Sequence, residues 1–495
     1  MSKVLFITND LLAPSLALKI QQEGHDIVIA QKSTNDTKNI LKGTLRRIPY
    51  TDRYEYAKQS DLCIFDDNTS GEAAQWRKEG ISCIGGGKDV IKLELDRKIA
   101  SDTARLCGLK IPQVFEVKDL EDAKRIIKEK GGKFCLKQMG ALDSIKGLNA
   151  ISKMPNSEDL ISYIDFLQER WVEGLDQEFI LQEKIEGAEM AISAWWNGND
   201  FMRDKDKNVI VEENFEHKPL TNSGGESTGE MYTIQKLLPA KYSKLYSETL
   251  EKLIPLLKQT TFTGDFDVNC IVTSKGAYFL EYTPRMGCPS ISGQVAMHKM
   301  PWFEFLKACA DGKQIDFEYD PRWNIVCWLY TKPFPFVNSN KMTKLYEDSV
   351  DKNNHEQLSQ LLSFKLSNST GAEVLFKEKL TKEDLKNVCW DGVRWDKEKI
   401  LIANGDGYVA CINGQGETVD EAGKAVSTLM SKFCVAKSFW RNDFNDTNYH
   451  KSKDDLTKWG YLDAEKKKQE AEAKAEKENK EKEKQDIKAM LKKLI

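Results

Sequence analysis

The residues best equipped for chemistry lie in two neighbouring segments, Gly264-Asp265-Phe266-Asp267-Val268-Asn269-Cys270-Ile271-Val272 and Tyr278-Phe279-Leu280-Glu281-Tyr282-Thr283-Pro284-Arg285-Met286-Gly287. Each sets acids beside apolar residues, and Ser274-Lys275-Gly276 supplies a turn, so together they read as a β-hairpin. Such a hairpin brings Glu281 beside Asp267 or Asn269. Oxygen ligands at a strand end suit Mg²⁺, which prefers hard oxygens and bridges to nucleotide phosphates. An ordinary hairpin with polar ends is the plain alternative.

A second group is cationic. Phe134-Cys135-Leu136-Lys137 is an apolar strand closed by a lysine, and nine residues on, after a loop-like stretch, comes Lys146-Gly147-Leu148. A strand lysine and a loop lysine suit nucleotide phosphates, where positive charge stabilises the transferring group. The G-x-x-x-x-G-K-[ST] pattern is absent, which excludes a P-loop. In Leu181-Gln182-Glu183-Lys184-Ile185-Glu186-Gly187-Ala188-Glu189 a strand end offers backbone groups to an adenine edge, and an acid follows that can accept from ribose hydroxyls. Glu216-His217-Lys218 and the glycine-rich stretch 222–231 permit close backbone approach to an anion, although His217 alone reads as structural. For each of these the alternative is an exposed polar turn.

The elements that must position these residues change character along the chain. Strands over 4–8, 26–30, 61–66 and 81–85 alternate with helices over 13–23 and 71–79, which predicts a doubly wound parallel sheet with a ligand at the carboxyl ends of its strands. A helix over 91–106 leads into an α+β region reaching about residue 320. From Trp323 further strands follow, over 324–330, 400–403 and 408–412, and a helix over 418–433 opens with Thr418 and Glu421 as a capping box. Residues 464–495 are rich in Glu, Lys, Ala and Gln, which predicts a solvated charged helix or a segment for a protein partner.

A chain of 495 residues with 40% hydrophobic content supports two to four domains. A net charge of −4 argues against a global basic field for nucleic acid or a membrane surface. Eleven cysteines without a C-x-x-C pair point to a reducing compartment, and five histidines leave little room for a histidine-rich metal site. The N-terminal apolar run is too short for a signal peptide, and no stretch approaches the ~20 apolar residues of a bilayer span. The expectation is a soluble cytoplasmic protein.

Taken in order, these segments resemble the ATP-grasp enzymes, and among them the phosphoribosylamine–glycine ligases. Lys137 and Lys146-Gly147 are similar to that family's strand lysine and flap lysine. Glu183 to Glu189 resembles its E-E-x-x-x-G-x-E hinge, with Gln182 in place of the first acid. Glu216-His217-Lys218-Pro219 resembles its D-H-K-R segment, and Thr228-Gly229-Glu230-Met231 its T-G-G-M-G loop. Glu281-Tyr282-Thr283-Pro284-Arg285-Met286-Gly287-Cys288-Pro289-Ser290 resembles its E-x-N-x-R-x-G-D-P-E segment. The likeness extends over about residues 1–445, from Ile84-Gly85-Gly86 with Glu94 and Arg97 to Trp440-Arg441-Asn442-Asp443-Phe444.

The resemblance implies an α/β and α+β multidomain chain. An N-terminal doubly wound parallel sheet (1–90) precedes a central ATP-grasp fold (91–322, with a flap at about 115–195). A small C-terminal α+β domain (323–445) and a charged helical tail (446–495) follow. It implies an ATP-dependent carboxylate–amine ligase of purine biosynthesis that works through an acylphosphate, with glycine and phosphoribosylamine as the default pair. Lys137 would hold ATP phosphates. Lys146 would do so from the flap during transfer. Glu183, Lys184 and Ile185 would frame adenine, and Glu189 would bind ribose. Glu281, Asp267, Asn269 and Thr283 would carry Mg²⁺ or Mn²⁺, and Arg285 would pair with the donor carboxylate. The departures lie on the acceptor and metal sides. Asn9-Asp10-Leu11-Leu12-Ala13-Pro14 stands where the family has G-G-R-E-H-A, Thr283 replaces a metal-binding asparagine, and Cys288 and Ser290 replace acids. A ligase with a different amine acceptor, or a nucleotide-binding module without catalysis, are the alternatives.

Overall fold

The computed structural model describes residues 1–32, 37–68, 70–139, 148–335, 347–445 and 448–462. Strands β1 (Lys3–Thr8), β2 (Asp26–Gln31), β3 (Arg46–Ile48), β4 (Leu62–Phe65) and β5 (Cys83–Ile84) form a parallel sheet ordered β3–β2–β1–β4–β5. The apolar runs 4–7, 27–30 and 62–65 are buried throughout, as strands covered on both faces must be. The strand order reverses between β1 and β4, so a crevice opens beyond their carboxyl ends.

The helix expected over 91–106 is two helices, Lys88–Leu95 and Arg97–Leu106. Asp96 between them is extended, and its Oδ1 accepts from the N–H groups of Lys98 and Ile99, both at 3.0 Å. This aspartate cap starts a second helix inside an apolar period that reads as continuous. The break brings Glu94 and Arg97 to one cleft.

Strands β6 (Val114–Glu116), β7 (Phe134–Gln138), β8 (Ala150–Ile151) and β9 (Phe179–Glu183) form an antiparallel sheet ordered β6–β9–β7–β8. Helices Leu120–Lys130 and Glu158–Arg170 pack on it around Leu120, Ile127, Phe134, Leu136, Ile164 and Leu181, a core separate from the rest.

The largest sheet holds β10 (Ala188–Trp196), β11 (Ile210–Leu220), β12 (Gly224–Pro239), β13 (Gly264–Thr273), β14 (Gly276–Thr283) and β15 (Trp323–Tyr330). Its order is β14–β13–β10–β11–β12–β15, continued by Tyr408–Gly416 and Val388–Trp390. The sheet therefore crosses residue 322 without a break. Along β13, Phe266, Val268, Cys270 and Val272 enter the main core, which leaves Asp265, Asp267 and Asn269 on the other face.

The expected hairpin is present, with a slip in its register. Asp267 lies opposite Thr283 and Asn269 opposite Glu281, but Cys270 then lies opposite Phe279. Leu280 is the extra residue of a β-bulge. By simple alternation Phe279 and Glu281 would share a face. The bulge puts Phe279 in the core, 2% exposed, and leaves Glu281 with the acids.

Helix Val419–Met430 carries the expected capping box, with the Glu421 N–H donating to Thr418 Oγ1 at 3.2 Å and the Thr418 N–H to Glu421 Oε2 at 3.3 Å. Within 446–495, helix Asn448–Lys458 packs on the body through Tyr449 and Leu456, and the Tyr461 hydroxyl donates to Glu248 Oε2 at 2.7 Å. The charged stretch 464–495 lies outside the described residues. Among the described residues no helix is long and apolar enough to cross a membrane.

A buried polar layer continues the acidic face at its Asp265 end, under helix Ser290–Met297. Glu212 Oε1 accepts from Gln235 Nε2 (2.7 Å) and Asn214 Nδ2 (3.1 Å), and Gln294 Nε2 donates to Asp265 Oδ2 at 2.9 Å. Gly293 lets the helix settle here, because a Cβ would collide with Gln235. Burial, and then repulsion from Asp265, push Glu212 up to about 8. Its Oε2 has no hydrogen-bond partner, which suits a protonated carboxyl. The folded state thus keeps a proton that the unfolded chain releases. Glu212 therefore stabilises the fold most at acid pH and loses that contribution as pH rises from its ordinary 4.5 towards 8. Urea unfolding from about pH 5 to about pH 8 should show this decline, at up to about 1.4 kcal/mol per pH unit for one proton. Glu212→Gln keeps a neutral side chain of the same shape and should flatten it. Identical slopes for the two proteins would mean that Glu212 is ionised throughout.

Candidate functional site

The β6–β9 sheet and the large sheet face each other across a cleft of about 500 Å³. Lys137 and Gln182 line it from one side, Glu281 and Thr283 from the other, and Glu94, Arg97 and Arg285 close one end. Lys137 sits at the end of β7. Burial, then the nearby Arg97, lower its pKa, and the Glu281 carboxylate partly opposes this. The strand lysine and the hairpin carboxylate, far apart in sequence, therefore meet. Lys146 lies outside the described residues.

Beside the cleft the acids of the large sheet converge on one ammonium. Lys218 Nζ lies 3.0 Å from Glu216 Oε2, 3.1 Å from Glu189 Oε1 and 3.5 Å from Glu281 Oε1. Asn269 Nδ2 donates to Glu216 Oε2 at 3.0 Å and approaches Glu189 Oε1 at 3.4 Å. Burial alone would lower the Lys218 pKa, but the three carboxylates outweigh it and hold it well above the ordinary range. In return Lys218, more than any other group, holds Glu281 below the usual carboxylate range. Lys218 was read in the sequence only as part of a polar segment. Three acids on three different strands give it its place, and no local spacing records that.

Lys218 does less for the remaining acids. Burial, then the Glu216 carboxylate, push Asp267 well above the usual range, and the same causes act on Glu230. Asn269 Oδ1 and Glu230 Oε1 are buried without a hydrogen-bond partner. No group of three His, Cys, Asp or Glu among the described residues is already closed as a metal cage. The donor set nevertheless fits a hard cation. It is all oxygen, it carries surplus negative charge, and one buried carbonyl oxygen lacks a donor. Thr283, opposite Asp267, adds a hydroxyl to the same face.

Of the other expected residues Arg285 lines the cleft, while Glu183, Lys184, Ile185 and Glu189 are not among its lining residues. The Glu183 N–H donates to Gln113 O at 2.8 Å and the Lys184 N–H to Lys133 O at 2.9 Å. Of the three hinge residues, Ile185 alone has an amide without an acceptor among the described residues. Glu189 stands within the carboxylate group on Lys218. Arg285 is held by Glu94, with Nη2 at 2.9 Å and Nε at 3.1 Å from Oε1, while its Nη1 donates to Met286 O at 2.9 Å. The sequence did not mark Glu94 or Arg97 for a role of their own. His217 is buried and stacked on Tyr232 at 4.2 Å, and burial, then Arg441, lower its pKa to about 3, so it stays neutral.

A flap sheet facing a large antiparallel sheet across a lysine–carboxylate cleft defines the ATP-grasp fold, and this chain has it. No protein-family profile matches the chain. It is similar to the phosphoribosylamine–glycine ligase of Clostridium acetobutylicum, 22% identical over 253 residues, covering 50% of this chain and 59% of that protein. It is also similar to the phosphoribosylamine–glycine ligase of Halalkalibacterium halodurans, 20% identical over 379 residues, covering 76% and 78%. Its fold is similar to the crystal structure of the Thermotoga maritima phosphoribosylamine–glycine ligase, with a TM-score of 0.62 at 17% identity over 89% of this chain and 99% of that one. It is similar too to the biotin carboxylase domain of Hydrogenobacter thermophilus 2-oxoglutarate carboxylase in complex with MgADP, with a TM-score of 0.55 at 14% identity over 91% and 95%.

Removing the central ammonium should leave three carboxylates facing one another. Lys218→Met is expected to destabilise the protein by roughly 2 kcal/mol or more, as loss of one partner from a partly buried ion group does. Millimolar Mg²⁺ should raise the melting temperature of the variant more than that of the wild type. An unchanged stability, with no response to Mg²⁺, would show that the acids do not press on one another.

Proposed function

We propose that this protein is an ATP-dependent carboxylate–amine ligase, most like the phosphoribosylamine–glycine ligases in fold and order of motifs. One observation carries the reading: Lys137 and Glu281 line the same cleft, and Arg285 borders both that cleft and a second cavity. A nucleotide and an acyl group can therefore meet at one end of the cleft. The chemistry requires this, because a carboxylate is a poor acyl donor until its oxygen is made a leaving group. A carboxylate oxygen attacks the terminal phosphorus of ATP, the bond to ADP breaks, and an acylphosphate forms. An amine then attacks the acyl carbon, the bond to phosphate breaks, and an amide results.

The chain's residues take distinct parts. Lys137 lies against the transferring phosphate. The Ile185 amide reads the adenine edge at the end of β9, with Glu183 and Lys184 fixing that backbone, and Glu189 is the acid within reach for ribose. Arg285, held by Glu94, pairs with the donor carboxylate through its remaining N–H donors. Lys146, which lies outside the described residues, is given the part of a second phosphate-binding cation by the order of motifs alone. Glu281, Asp267, Asn269 and Thr283 would hold Mg²⁺ (or Mn²⁺), which neutralises charge on the phosphates. The flap keeps water from an acylphosphate that would otherwise hydrolyse. The eleven unpaired thiols fit a reducing, cytoplasmic setting.

The test is ADP release by the purified protein across pairs of amino acids and amines, glycine included. Lys137→Ala and Glu281→Ala should each lower the rate by about 10² or more, as loss of a charge aimed at the transferring group does. Circular dichroism should report an unchanged fold. ATP binding without ADP release for any pair would replace the ligase with a nucleotide-binding module.

A further inference from the structure

The cleft's lining sorts along the flap strands into an apolar end and a charged end. Lys137 on β7 lies opposite Ile180 on β9, and Cys135 lies opposite Gln182, which on its other side faces Val114 of β6. Residues opposite one another in antiparallel strands project from the same face, so Val114, Gln182, Ile180 and Lys137 all turn to the cleft that they line. Gln182 stands two residues along β9, about 6.7 Å, from the Ile180–Lys137 pair. Residues 110–114 tie the two sheets together beside it: the Phe279 N–H donates to Lys110 O and the Glu183 N–H to Gln113 O, both at 2.8 Å. Ile111, Pro112 and Val114 from this segment, with Leu280 of β14, make the wall next to Gln182 apolar.

Gln182 is the polar side chain of that wall. It is 7% exposed, and its side-chain amide forms no hydrogen bond with any described residue. A buried amide without a partner is costly unless a ligand supplies one. The ligand must bring an apolar, flat body for the wall, a polar edge for the amide and an anionic end for Lys137. A nucleotide has that order of base, sugar and phosphates. The amide holds an acceptor and a donor side by side, and on adenine the N6 amine and N7 present their complements. A 6-oxo purine offers two acceptors there instead. The hinge pattern has an acid where this chain has Gln182, and an ionised acid accepts but cannot donate.

We infer that Gln182 reads the N6–N7 edge of the adenine base, its Oε1 accepting from the N6 amine and its Nε2 donating to N7, which leaves N1 to the Ile185 amide. The inference rests on the nucleotide part of the ligase reading and adds a requirement to it. N7 becomes a recognised atom in this chain, because an amide stands where an acid could not use it.

Calorimetric titration of the full chain with ADP and with 7-deaza-ADP, both in Mg²⁺, tests this. The analogue replaces N7 by a C–H and keeps N1 and the N6 amine. The wild type is expected to bind ADP about tenfold more tightly, within the range of a bidentate amide–adenine pair. Gln182→Glu keeps the acceptor and removes the donor, so its ADP affinity should fall to that of 7-deaza-ADP or below, with 7-deaza-ADP little changed. Circular dichroism checks the variant's fold, and the wild-type ratio alone decides if the variant does not fold. Equal wild-type affinities for the two nucleotides, or a preference for ADP that survives in Gln182→Glu, overturn the inference and leave the ligase reading standing. Binding of neither nucleotide removes the inference together with the nucleotide site that the ligase reading requires.

Discussion

The constraint on which the rest of the site depends is crowding of like charge. Glu189, Glu216 and Glu281 surround the Lys218 ammonium on the large sheet, and Asp267 and Glu230 are buried within the field of Glu216. Two unit charges about 4 Å apart in a medium of effective dielectric ~20 interact by roughly 4 kcal/mol, so such a cluster persists only with a cation inside it. Lys218 neutralises part of the surplus. The raised pKa values of Asp267 and Glu230 record the remainder. A site arranged this way has a built-in affinity for further positive charge.

Much of this was legible in the sequence, because the elements concerned are set by local chemistry. Continuous apolar runs made the parallel sheet, Ser274-Lys275-Gly276 made the hairpin, and Thr418 with Glu421 made a capping box. Glu281 was expected beside Asp267 or Asn269. It lies opposite Asn269, with Thr283 opposite Asp267. The meeting of Lys137 with Glu281 was foreseen only through the order of motifs, since no periodicity reports a contact between two sheets.

What could not be read has physical causes of two kinds. One is local conflict with a simple period. The bulge at Leu280 and the aspartate cap at Asp96 each interrupt an apolar pattern that looks regular, and each redirects site residues: Glu281 in the first case, Glu94 and Arg97 in the second. The other is convergence. Lys218 acquires its role from Glu189, Glu216 and Glu281, and Arg285 from Glu94, so neither role exists until the strands are assembled. Function concentrates at such places, because a group held by partners from several elements keeps its geometry when a ligand arrives.

Arg285 shows why the two cavities must be considered together. It is held by Glu94 on one side and by Met286 O on another, and it lines both spaces. On the proposed ligase reading, an acyl group paired with it would lie at the junction, with the phosphate donor on the side of Lys137. The cleft sets Lys137 and Arg97 beside Glu281 and Glu94, and the second cavity is lined by Asp10, Glu230, Asp391 and Asp406. Beside the second cavity the loop 9–13 engages its own amides, the Asn9 N–H with Asp67 and the Ala13 N–H with Asp66.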